Sequence, residues 1–168
     1  MNVTILADAS HCPQTLAGGY GFWIASQRGK LAGSGSLKGR IANSTVAEMM
    51  AIANAFHQSI MKGLVHPYDT VLFQTDCIAA IDAFEATRSL TSDEKVVVEY
   101  LHNIANRADI VVKFKHVKGH TKRGNGARFA ANRKCDEQAR AAMRKQRGRI
   151  ICEDGLQLLR GKNETDAC

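Results

Sequence analysis

Apolar and polar positions along this chain change period several times, and each change marks an element. Asn2–Asp8 (NVTILAD) reads as a strand ending at Asp8-Ala9-Ser10. Tyr20–Ser26 and Leu31–Leu37 read as two more strands around a tight turn at residues 27–30. Glycines at 18, 19 and 21 suit a backbone that comes close to another element. From residue 44 the period lengthens. Met49, Ile52, Ala53, Phe56 and Ile60 fall at i, i+3, i+4, i+7 and i+11, which predicts a helix over 44–62 with Ser44 or Thr45 as its cap. Thr70–Thr75 reads as a buried strand leading into Asp76, then a short helix to about Glu85. Thr91 or Ser92 opens another helix, Ile110–His116 alternates as a strand, and Arg133–Lys145 is rich in helix formers. Beyond it, Ile150–Leu159 is expected to add a small strand or pack on the sheet, with 161–168 frayed. The order β-β-β-α-β-α-α-β-α predicts a mixed sheet covered by helices, an α/β architecture.

Length and composition narrow the class. The chain has 168 residues, 45% of them hydrophobic and 23% charged, as expected for one ordinary globular domain. No apolar run approaches the roughly 18 residues of a membrane span. The apolar stretch Val3–Ala7 has no basic lead, so we expect no signal peptide and a cytoplasmic location. Five cysteines form no CxxC pair, so they read as reduced thiols. His116 and His120 have an H-x3-H spacing, yet no cysteine pair accompanies them and zinc is disfavoured.

Charge changes the picture more. The net charge is +7, but residues 113–149 alone hold thirteen Lys/Arg against two Asp/Glu. Both flanks are slightly acidic. A concentrated positive stretch favours a polyanion, with counterion release from phosphates as the driving force.

Four acids sit where strands end or helices begin. Asp8 and Asp76 close apolar strands, while Glu48 and Asp136 fall in the first turns of predicted helices. Taken singly, each is compatible with an ordinary turn or helix-start acid. Brought together in one sheet, they would repel strongly unless cations neutralised them. Hard oxygen donors select Mg²⁺ or Mn²⁺, and two such ions suit phosphodiester hydrolysis.

Taken in order, LADAS (6–10), GGYG (18–21), TVAEMMA (45–51), LFQTDC (72–77), HVKGH (116–120) and NRKCDEQARAA (132–142) resemble the type 1 ribonuclease H family over about residues 2–146. The resemblance implies an RNase H-like fold, with a mixed five-stranded sheet flanked by helices. It divides the chain into a nuclease domain at 1–146 and a short, partly flexible C-terminal extension at 147–168. It also implies an endonuclease that cuts the RNA strand of RNA–DNA hybrids with two Mg²⁺ (or Mn²⁺) ions, leaving 5′-phosphate and 3′-hydroxyl ends. Asp8, Glu48, Asp76 and Asp136 would be the metal-binding acids, and His120 would assist proton movement or product release. Asn132 would bind substrate or orient the last acid, and Ser10, Cys12 and Ser44 match positions that touch the nucleic-acid backbone. The hybrid is the expected partner of a monomer, with no membrane association and no protein partner inferred.

The chain departs from the pattern in two places. Many bacterial members carry a basic, tryptophan-rich handle, whereas residues 87–109 hold no tryptophan and balance Arg88, Lys95 and Arg107 with acids. The stretch between His120 and Asn132 is long, and its Lys122, Arg123 and Arg128 are expected to supply phosphate contacts instead. His11, His57, His66 and His102 read as ordinary loop or helix residues, and Phe22 and Trp23 as sheet residues. Two rival readings stay open: a DNA nuclease of the same fold, resolvase- or integrase-like, and a catalytically idle hybrid-binding module.

Overall fold

A computed structural model describes the backbone of residues 1–117 and 127–165, and side chains at 1–117 and 130–154. Five strands form one sheet in the order β3-β2-β1-β4-β5: β1 (Asn2–Cys12), β2 (Ala17–Ser26), β3 (Gly29–Ser36), β4 (Thr70–Thr75) and β5 (Val111–His116). The first three are antiparallel neighbours, whereas β4 and β5 run parallel to β1. Among the described residues four helices accompany the sheet: α1 (Ser44–Met61), α2 (Ile78–Phe84), α3 (Ser92–Arg107) and α4 (Ala127–Thr165). The element order and the mixed five-stranded sheet are those expected from the sequence.

Strand alternation sorts the sheet into two faces. Val3, Ile5, Phe22 and Ile24 point to the face where α1 inserts Met49, Ile52 and Phe56, and all of these are buried. Phe73 anchors this core, edge-on to Phe56 at 5.4 Å and stacked on Phe114 at 5.3 Å, so that β4, β5 and α1 share one aromatic cluster. On the opposite face lies α4. It rests on Gly19 and Gly21 so closely that a Cβ at either position would collide with its backbone.

Several boundaries differ from the sequence reading. β1 runs four residues past Asp8, because Asp8–Cys12 pair with Gly21–Ala17 and the hairpin ladder continues. Asn43 caps α1 in place of Ser44 or Thr45, its Oδ1 accepting the Val46 N–H at 2.9 Å. This puts Glu48 in the second turn of α1. The largest correction is α4. It begins at Ala127, six residues ahead of the predicted start, so Asp136 lies in its third turn and Asn132 already inside the helix. It continues through 150–159, where a strand or loosely packed segment was expected, and on to Thr165. The chain's two prolines are Pro13 and Pro67, so nothing in 127–165 obliges the helix to stop. Ile150, 3% exposed, extends the packing onto Cys12 and Ala17.

Candidate active site

The site forms where β1 and β4 part. Their pairing ends at Leu6↔Gln74, after which β1 continues with β2 alone. The crevice beyond the carboxyl ends of neighbouring strands is where open α/β sheets place ligands. Thr75, 1% exposed, ends β4, and its Oγ1 accepts the Cys77 N–H at 3.1 Å. That turn holds Asp76 at the strand end.

Asp8 projects from β1 toward the α4 face, in register with Gly21. Glu48 reaches in from α1, where its Oε1 accepts the Ala9 N–H at 3.2 Å and ties helix to strand. The second oxygen, Oε2, is buried and has no hydrogen-bond partner among the described residues. Asp8, Glu48 and Asp76 each offer a carboxylate oxygen, all within 4.8 Å of one another.

Asp136 approaches from the other face. Because Gly21 lacks a side chain, the Cys135 carbonyl lies against the β2 backbone beside Asp8. Burial and then the charge on Asp8 push the Cys135 thiol up to about 12. Arg140, one turn along, bonds Asp136 Oδ1 at 2.8 Å. Sequence reading overlooked this pair, although its i,i+4 spacing signals it.

Repulsion marks the cluster electrostatically. Burial, followed by the charges on Asp76 and Asp136, raises the Asp8 carboxyl above its ordinary range. Burial, then Asp8 and Asp76, raises Glu48 further. Partly desolvated acids with an unpartnered buried oxygen fit divalent cations, which would replace the repulsion with shared attraction. Hard oxygen donors alone favour Mg²⁺ or Mn²⁺ over zinc.

The other expected site residues fall in different settings. Ser10 is half-buried on β1 two residues past Asp8, and Asn132 is half-buried on α4 one turn before Asp136. Ser44 is exposed at the start of α1. Cys12 is buried against Ala17 and Ile150, and its thiol donates to Gln14 Oε1 at 3.4 Å. His120, Lys122 and Arg123 lie outside the described residues, as does the side chain of Arg128. His11 bonds the Ile41 carbonyl at 2.9 Å, His57 the Tyr100 hydroxyl at 3.0 Å and His102 the Phe84 carbonyl at 3.1 Å.

The chain belongs to the RNase H family, whose profile matches residues 1–144. Among solved structures it is similar to RNase H1 from the halophilic archaeon Halobacterium salinarum NRC-1, with 17% identity, a TM-score of 0.66 and coverage of 86% of this chain and 99% of that one. LC11-RNase H1, solved in complex with an RNA/DNA hybrid, is 18% identical over 85% of this chain and 97% of its own, with a TM-score of 0.65. The N-terminal RNase H domain of rv2228c from Mycobacterium tuberculosis is 17% identical, with a TM-score of 0.64 over 86% and 95% of the two chains. At these identities the likeness establishes the fold. No curated protein sequence matches the chain significantly.

Proposed function

We propose that this protein is a metal-dependent endonuclease that hydrolyses the RNA strand of RNA–DNA hybrids. The observation carrying this reading is the triad of carboxylates within 4.8 Å, assembled from β1, α1 and the end of β4 in an RNase H-family chain. Support for the substrate comes from LC11-RNase H1, a structural neighbour that was solved with an RNA/DNA hybrid.

Asp8 and Asp76 would share one divalent ion, with Glu48 and Asp136 completing the sites for two. Ions held there would supply Lewis acidity, lowering the pKa of water so that hydroxide is available at neutral pH and offsetting phosphodiester charge. The chain's own groups do the rest. The Ala9 N–H fixes the rotamer of Glu48, the Thr75–Cys77 turn aims Asp76, and Arg140 holds Asp136 from the solvent side. His120 would assist proton movement or product release, the former suited to an imidazole near neutral pH. Ser10, Ser44 and Asn132 would meet the backbone of the hybrid, and 2′-hydroxyl contacts in the wide minor groove would separate RNA from DNA. The products would be 5′-phosphate and 3′-hydroxyl ends.

The test is cleavage of end-labelled RNA–DNA hybrid, duplex DNA and duplex RNA in Mg²⁺ and in Mn²⁺. We expect cutting of the hybrid's RNA strand alone, abolished by chelator and reduced about 1,000-fold or more by Asp76→Asn. Cutting of duplex or branched DNA would overturn the reading, as would hybrid binding without cleavage.

A further inference from the structure

A basic channel lies on the β3 side of the site, and about a third of its wall lies beyond the family match. Its first part is a cavity of about 490 Å³ between the β3–α1 connection and α4, lined by Ser36, Lys38, Arg40, Gln146, Arg149 and Glu153. An adjoining cavity of about 410 Å³ runs along the edge of β3, with Ser34, Lys145 and Arg149 in its wall. Ser36 and Arg149 line both, so the two make one continuous groove. The family profile ends at residue 144, whereas Lys145, Gln146 and Arg149 follow it on the same helix.

The groove's charges are largely uncommitted. Arg40 is held by Asp154 and by the Thr15 carbonyl, and so bridges α4 to the β1–β2 connection. Lys38, Lys145 and Arg149 are exposed and form no ion pair among the described residues, and neither does Glu153. Ser36 donates to the Ala142 carbonyl at 3.1 Å and fixes the helix against the strand edge. Lys145 and Arg149 are one turn apart on a single helix face.

Position decides what such a groove accepts. Ser34 and Gly21 share a rung of the ladder with Asp8, and Ser36 shares one with Ser10. Two strand spacings, roughly 10 Å, separate the β3 edge from the acid row. Along α4, Asp136 to Arg149 is roughly 20 Å, at about 1.5 Å per residue. Spread-out cations in an open channel suit a chain of phosphates better than one small anion. On the opposite side of the site, Arg88 of the α2–α3 connection is spent on Glu94 and on the Ala79 and Ser89 carbonyls, while Lys113 and Lys115 are exposed on β5.

We propose that the groove between β3 and the part of α4 beyond residue 144 binds the phosphodiester backbone of the hybrid at a distance from the acids, through Lys38, Lys145 and Arg149. This rests on the nuclease reading for its ligand. The groove would extend the footprint to roughly 20 Å from Asp136 along α4. Contacts of this kind position the duplex without reading its sequence.

The experiment is a salt titration of binding to a labelled hybrid of about 20 base pairs in Mg²⁺, on an Asp76→Asn background so that no strand is cut. Combining Lys38→Ala, Lys145→Ala and Arg149→Ala should weaken binding about 10- to 100-fold at low salt and lower the log–log salt slope by about 2 to 3. Lys145→Arg with Arg149→Lys should leave the slope unchanged. A triple variant with the original slope and affinity would overturn the groove. Cleavage by the unaltered protein, measured in parallel, tests the nuclease reading separately. A hybrid that is cut while the slope stays fixed removes only the groove. A slope that falls without any cleavage removes only the nuclease.

Discussion

Glu48 shows at the level of one residue how the site stores unfavourable energy. One oxygen is satisfied by the Ala9 N–H, the other is buried without a partner, and two further carboxylates lie within reach. Its folded-state pKa is raised above the ordinary 4.5. An acid shifted upward contributes its full stability below its unfolded pKa and loses it as pH rises toward the folded value. Metal-free protein should therefore become less stable between about pH 5 and pH 8. Glu48→Gln keeps the Ala9 hydrogen bond and removes the ionisable group. We expect it to raise the melting temperature of the chelated protein at pH 8 by about 3–6 °C, or ~1–2 kcal/mol. It should also diminish the stabilisation that Mn²⁺ gives the unaltered protein. Differential scanning calorimetry with and without metal checks both.

At the level of the element, α4 decides the geometry. The helix carries Asp136, and its distance from β1 is set by the absence of side chains at Gly19 and Gly21. A Cβ at Gly21 would meet the Cys135 carbonyl, a backbone atom that cannot rotate away. Gly21→Ala should therefore push α4 off the sheet, cost about 2 kcal/mol and lower hydrolysis far more than the stability loss accounts for. Gly148 lies on the same helix with nothing within 4 Å of the added atom. Gly148→Ala should act oppositely, stabilising the protein by about 1 kcal/mol through helix propensity with cleavage unchanged. Urea unfolding paired with hybrid cleavage distinguishes the two.

The molecule as a whole is held on its acid side by carboxylates buried against arginines. Glu94 caps α3 through Thr91 and receives two hydrogen bonds from Arg88, which holds its carboxyl down to about 2. Asp69, just before β4 and bonded to Arg28 of the β2–β3 turn, is likewise held well below its ordinary value. Groups shifted downward contribute stability above their unfolded pKa and lose it as pH falls through the folded one. Acid unfolding should therefore steepen from about pH 4.5 down to about pH 2. Arg88→Ala, which strands the Glu94 carboxylate, should cost about 3 kcal/mol at pH 7 and flatten that part of the curve. Circular dichroism against pH at fixed urea measures the slope.

Periodicity alone specifies much of this protein. The alternating strands, the helical stripe through Met49, Ile52 and Phe56, and the order of elements are local consequences of which residues avoid water. Three of the four expected acids, Asp8, Glu48 and Asp76, lie together, with Asp136 close enough to raise Asp8. Other features have no local signature. The packing of α4 past residue 146, with Ile150 against Cys12 and Ala17, joins segments far apart in the chain. The reach of β1 past Asp8 depends on its partner strand, and the closeness of Asp136 to Asp8 depends on a glycine more than a hundred positions away. The sequence by itself determined which groups bear charge and which segments are apolar, because these are properties of the residues. Tertiary structure decided which charges share a desolvated space and which remain free along the β3–α4 groove, because both depend on the packing of segments distant in the chain.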